Sequence, residues 1–118
     1  MVQITETEFG KIVVEGKTYN HDIMIDANGV ITKRSSVSEK WYGTHHVICT
    51  EEIKELLTTK PQVLIIGLGQ YKACRLEQGV ERECSKYGTK IIAEATPKAI
   101  KIFNETEARK AGLFHVTC

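Results

Sequence analysis

The run Val63-Leu64-Ile65-Ile66 constrains the fold more than any other part of the chain. Its consecutive Val, Leu and Ile residues leave no polar face, so a strand here must be covered on both sides, as in the centre of a parallel sheet. Pro61 stops the element before it, and Gly67 and Gly69 open the turn after it. Upstream, Thr50-Glu51-Glu52 reads as a helix start, a hydroxyl cap followed by acidic residues at the positive helix end, with Ile53, Leu56 and Leu57 as the apolar stripe. Downstream, Val80, Cys84 and Tyr87 recur at helical spacing, and Gly88 follows as the closing residue.

Lys90-Ile91-Ile92-Ala93 is the next strand, and Thr96-Pro97 starts another helix, with Thr96 as cap, proline at the first helical position, and Ile100 and Phe103 leading the buried face. Gly112 is expected to end that helix near Ala111, leaving residues 113–117 as a last short strand. Helices alternating with strands 63–66 and 90–93 imply a right-handed parallel crossover. The first third reads differently, as an antiparallel meander. Lys11-Ile12-Val13-Val14 is followed by a turn at Glu15-Gly16-Lys17, a second strand from Thr18 to Ile25, the hairpin signal Asn28-Gly29, and a return strand at Val30-Ile31-Thr32. No period holds from Lys33 to His46, which reads as a long loop. The expected fold class is therefore α/β, a central mixed sheet preceded by a small antiparallel meander. At 118 residues with 42% hydrophobic content, residues 1–118 suit one domain that needs no disulfide, metal or cofactor for stability.

Sixteen basic against fifteen acidic residues leave a net charge of +1, which argues against nucleic acid or an anionic membrane as partner. Lys33, Arg34 and Lys40 beside Trp41 and Tyr42 are too few cations for a nucleic-acid patch, and a solvated loop with one aromatic anchored on the core is expected instead. The acidic first residues lack the pattern of a secretory signal, and the scattered Cys49, Cys74, Cys84 and Cys118 read as reduced thiols. The expected location is the cytoplasm.

Gly43-Thr44-His45-His46, Ile66-Gly67-Leu68-Gly69, Thr96-Pro97-Lys98-Ala99 with Asn104, and Phe114-His115-Val116-Thr117-Cys118 occur in an order and spacing that resemble one family. It is the small-domain family named after the archaeal Mth-nine-three-eight protein, with human adipogenesis-associated and mitochondrial complex I assembly relatives. Gly43, Thr44 and His46 match its Gly-Thr-x-His pattern, with His45 at the variable position. The resemblance implies a three-layer α/β domain and no defined biochemical activity.

Three catalytic or cofactor readings are disfavoured, two by spacing and one by charge. Gly67-Leu68-Gly69 has Lys72 where a dinucleotide site needs a third glycine, and the next helix begins too late to cradle a pyrophosphate. The two His-x-x-Cys pairs, His46 to Cys49 and His115 to Cys118, suggest zinc, but residues three apart on a strand face opposite ways. Cys118 near His115 suggests a nucleophile, yet a carboxylate beside the sulfur disfavours the thiolate. What remains is a non-enzymatic protein-interaction or assembly module, with a small-molecule or anion-binding protein or a weak enzyme as the alternative. The candidate pocket for the alternative lies at the carboxyl ends of the parallel strands and comprises Thr44, His46, Gly67, Gly69, Thr96 and His115, with a small anion at the Thr96 helix end.

Overall fold

The computed structural model describes residues 2–117. Strands β1 (Ile4–Glu8), β2 (Lys11–Val14) and β3 (Lys17–Tyr19) form a small antiparallel sheet. Strands β4 (Ile23–Ile25) and β5 (Ile31–Lys33) form a hairpin, followed by helix α1 (Val37–Tyr42), strand β6 (Val47–Ile48), helix α2 (Thr50–Leu57) and strand β7 (Val63–Leu68). Strand β8 (Arg75–Leu76), helix α3 (Val80–Lys86), strand β9 (Lys90–Glu94), helix α4 (Thr96–Glu105) and strand β10 (Lys110–His115) complete the described residues.

The main sheet has the order β5-β4-β10-β7-β9, with β10, β7 and β9 parallel, β4 antiparallel to β10 and β5 antiparallel to β4. As the apolar run demands, β7 is buried on both faces. Leu64, Ile66 and Leu68 pack with Ile53, Leu56, Leu57, Val80 and Cys84 of α2 and α3. Ile65 faces the other way, into a core with Ile100 and Phe103 of α4 and Ile4, Ile12 and Val14 of the small sheet. Three layers result. Asn104 of α4 clamps the small sheet, accepting the Ile4 N–H at 3.0 Å and donating to the Ile4 carbonyl at 2.7 Å.

Several sequence expectations are corrected here. Residues 18–25 are two strands in different sheets, because the polar triplet Asn20-His21-Asp22 carries the chain from one to the other. Strand β1, which the sequence reading missed, buries only Ile4 among exposed or half-buried residues. The segment read as a loop contains α1, a short helix with a single buried residue, Ser38, and hence no apolar period; Gly43 ends it in the left-handed region at φ +69°. Neither Trp41 nor Tyr42 is anchored on the core, and Arg34 is buried rather than solvated.

The helix caps also sit one residue earlier than read. Cys49 precedes α2, its N–H bonded to Glu52 Oε2 at 2.8 Å, and Ala95 precedes α4, so Thr50 and Thr96 are the first helical residues. Finally, Gly112 does not end a helix. It lies within β10, where a Cβ would come within 2.5 Å of the Phe114 ring folded over it. That ring meets Phe103 edge to face at 5.5 Å.

Candidate functional site

The hairpin signal Asn28-Gly29 leads to the site. Pairing runs outward from Ile25 opposite Ile31 to Ile23 opposite Lys33, so the next residues, Asp22 and Arg34, meet at the open end of the hairpin. Because β4 runs antiparallel to β10, that end lies beside the carboxyl end of β10, at His115.

Arg34 is the hub. Its Nε and one Nη2 proton reach the two oxygens of Glu52 at 2.7 and 3.0 Å, while Nη2 also donates to the Val47 carbonyl at 2.6 Å. Nη1 donates to Asp22 Oδ2 at 2.9 Å and to the His45 carbonyl at 2.7 Å. All five guanidinium protons are thus accepted, which a lysine ammonium cannot reproduce. The Arg34 and Glu52 side chains are 1% and 0% exposed. Burial opposes the arginine's charge, but Glu52 and Asp22 outweigh it and hold the guanidinium protonated.

Asp22 connects this hub to β10. Its Oδ1 accepts the Val116 N–H at 2.8 Å, and its Oδ2 lies 2.7 Å from His115 Nδ1. Burial pushes the Asp22 carboxyl up, but bonds from His115, Val116 and Arg34 together bring it below its usual value of 3.8. An ionised carboxylate only accepts, so in the neutral imidazole the proton belongs on Nδ1 and the lone pair on Nε2. Nε2 lies 3.0 Å from Thr117 Oγ1, whose hydroxyl donates to it. The His46 ring packs edge-on against His115 at 5.1 Å.

Asp22, Arg34, His115 and Thr117 line a cleft of about 280 Å³ with Gly10, Asn20, His21, Lys33, His45 and Val116. The small sheet contributes Gly10, whose N–H bonds to the Val116 carbonyl at 2.8 Å. A wider groove of about 530 Å³ lies at the opposite end of the sheet, beside Ile25, Phe103 and Arg109, and has no comparable convergence of buried polar groups.

Of the residues singled out from sequence, His115 lines the cleft and His46 packs behind it. Thr44 shapes the loop that delivers His46, accepting its N–H at 3.1 Å and, through its carbonyl, the Ser38 hydroxyl at 2.5 Å. Thr96, Gly67 and Gly69 do not line the cleft. The Thr96 hydroxyl donates to the His115 carbonyl at 2.5 Å and accepts the Gly69 N–H at 3.0 Å. Gly67 leaves room for it, since a Cβ there would lie 2.7 Å from Thr96 Oγ1. At the α4 start expected to hold an anion, the Thr96 N–H is bonded to the Gly69 carbonyl at 2.9 Å and Pro97 has none. Glu94, 3.5 Å from Lys72 and 3.8 Å from Lys98, adds negative charge nearby.

Sequence reading missed Asp22, Arg34, Glu52 and Thr117. The first two left a trace as opposite charges one step beyond the hairpin pairing, and Thr117 as part of the closing motif with His115. Cys49, Cys74 and Cys84 are buried and free, and burial pushes their thiols up to about 11, 12 and 11. Cys118 lies outside the described residues.

The fold and site together define a class: a three-layer α/β domain with a cleft at the carboxyl end of one parallel strand where buried polar side chains converge. Residues 4–114 match the family described as protein of unknown function (DUF498/DUF598), and the chain belongs to that family. It is similar to a conserved hypothetical protein of Pyrococcus horikoshii OT3, with 31% identity over 98% of this chain and 99% of that one and a TM-score of 0.90. It is likewise similar to MT938, at 32% identity over the full length of both chains and a TM-score of 0.85. A Bordetella pertussis protein described as a Mth938-like domain shares the fold at 14% identity and a TM-score of 0.72, over 98% of this chain and 85% of that one. The resemblance drawn from sequence motifs and these similarities name the same family. Among the described residues, no helix is long and apolar enough to cross a membrane.

Proposed function

We propose that the domain binds a small polar molecule in the cleft over His115. The observation that carries this reading is the convergence there of Asp22, His115 and Thr117 in one hydrogen-bonded chain, with Lys33 on the same wall. Buried polar groups are costly to hold together, and here they end on a concavity of ligand size rather than in sealed core. Lys33 has no ion-pair partner among the described residues, which favours an anionic ligand such as a carboxylate. The three buried free thiols support a reducing, cytoplasmic setting. The test is an NMR titration with acetate and with inorganic phosphate. Shifts at Gly10, residues 20–22, Lys33 and residues 115–117 support the site, whereas shifts confined to other residues, or none at all, overturn it.

A second reading, the interaction or assembly module expected from sequence, is supported by a different observation. Phe9, Trp41 and Tyr71 are 65%, 58% and 83% exposed. Large aromatics left in water are the side chains that anchor protein interfaces. A partner retained from native lysate by the wild type and lost on Trp41→Ala would support this reading, and retention unaffected by changes at all three positions would refute it.

A further inference from the structure

We propose that Thr117, His115 and Asp22 form an acyl-transfer relay, with Thr117 Oγ as nucleophile, His115 Nε2 as general base and Asp22 as the group that orients the imidazole. The proposal rests on the cleft being a small-molecule site and adds the chemistry performed there. A nucleophilic hydroxyl within hydrogen-bond reach of a base, with that base held by a third group, is the arrangement hydroxyl catalysis requires. Here the contacts are 3.0 Å from hydroxyl to Nε2 and 2.7 Å from Nδ1 to Asp22. The order is what makes it productive. Asp22, doubly anchored by Val116 N–H and Arg34, fixes the Nδ1–H tautomer, so the lone pair on Nε2 points to the one hydroxyl in contact with it. His115 itself is buried, while Thr117 is partly exposed and lines the cleft, so the hydroxyl rather than the imidazole meets an incoming molecule.

The substrate class that fits is a small carboxylic ester, for which about 280 Å³ suffices. In the first step the Thr117 oxygen forms a bond to the ester carbonyl carbon as its proton passes to His115 Nε2. The tetrahedral intermediate collapses, the bond to the leaving oxygen breaks, and the departing alkoxide takes the proton from Nε2. In the second step a water molecule attacks the acyl-threonine carbonyl and gives its proton to Nε2. The bond to Thr117 oxygen then breaks, that oxygen recovers the proton, and a carboxylic acid leaves. Lys33 and Asn20 line the same cleft, and their ammonium and amide are the donors available to the developing oxyanion.

The test uses the whole chain with p-nitrophenyl acetate. Peptide mapping by tandem mass spectrometry should place a single acetyl group on Thr117, and Thr117→Val should slow nitrophenol release by at least roughly tenfold while Thr117→Ser retains the adduct. Acetyl groups found only on lysines, or a Thr117→Val protein that reacts as fast as the wild type, would overturn the proposal. The map of the acetylated wild-type protein decides the matter even if Thr117→Val folds poorly. Cleft shifts on acetate titration without a Thr117 adduct would sink the relay and leave the binding site standing; absence of both would remove the two together.

Discussion

The Thr96 hydroxyl bridges two buried main-chain groups, the His115 carbonyl and the Gly69 N–H. Replacing it with an isosteric methyl removes both bonds, so Thr96→Val should cost about 2–3 kcal/mol in urea denaturation, and Thr96→Ser distinctly less. A loss of only a few tenths would show that the bridge carries no weight. Gly67→Ala should destabilise by a similar order, about 1–3 kcal/mol, by driving a Cβ into that hydroxyl. Asp22 gives a pH signature. Its carboxyl titrates lower in the folded protein than its usual 3.8, so its stabilising contribution is complete above that value and fades as pH falls below it. Acid unfolding of Asp22→Asn should therefore show a shallower decline in stability below about pH 4 than the wild type, and equal slopes would contradict the assignment. At this scale the sequence was partly misleading. Thr96-Pro97 carries the composition of a cap, but Ala95 takes the cap position, and the threonine, turned toward the sheet, joins two strand exits instead.

Elements are joined at Arg34, which no amphipathic pattern would place in a core. The residue leaves β5, pairs with Glu52 of α2, reaches Asp22 before β4, and donates to the carbonyls of His45 and Val47 in the segment entering β6. Removing the cation strands two carboxylates, one of them fully buried, so Arg34→Met should cost roughly 3–5 kcal/mol and Arg34→Lys a substantial part of that. Denaturation midpoints within error of the wild type would refute this. The helices and central strands were legible because burial writes a period into them. Ile53, Leu56 and Leu57 recur at helical spacing, and the Val63–Ile66 run admits no exposed face. Helix α1 was not legible, since it buries only Ser38 and is held by the Thr44 carbonyl and by the bond from the Tyr42 hydroxyl to Glu77. The site was half legible for a related reason. His115 and His46 stand out by residue type, whereas Asp22, Arg34 and Glu52 look like ordinary surface charges until the hairpin and α2 bring them together.

For the whole molecule, the controlling feature is that the strand latest in sequence, β10, lies in the middle of the main sheet. It joins the β5–β4 pair to the β7–β9 pair, through Leu113 opposite Met24 on one side and Ile66 on the other. Without it the sheet separates into two two-stranded pieces, and isolated pairs of strands are marginal in water. The same loss strips both cores, because Ala111 and Leu113 belong to the layer under α2 and α3 while Phe114 belongs to the layer under α4. It also removes His115, and with it the acceptor of the Thr96 hydroxyl and the partner of Asp22. Folding should accordingly be all-or-none with respect to residues 110–115. A chain ending at Arg109 should lose the chemical-shift dispersion and the cooperative thermal transition of the full chain. The alternative expectation, a stable α2–β7–α3–β9 unit persisting alone, would appear as dispersed amide resonances from residues 50–94 with a residual cooperative melt, and observing it would show that β10 docks onto a preformed half rather than completing a single core.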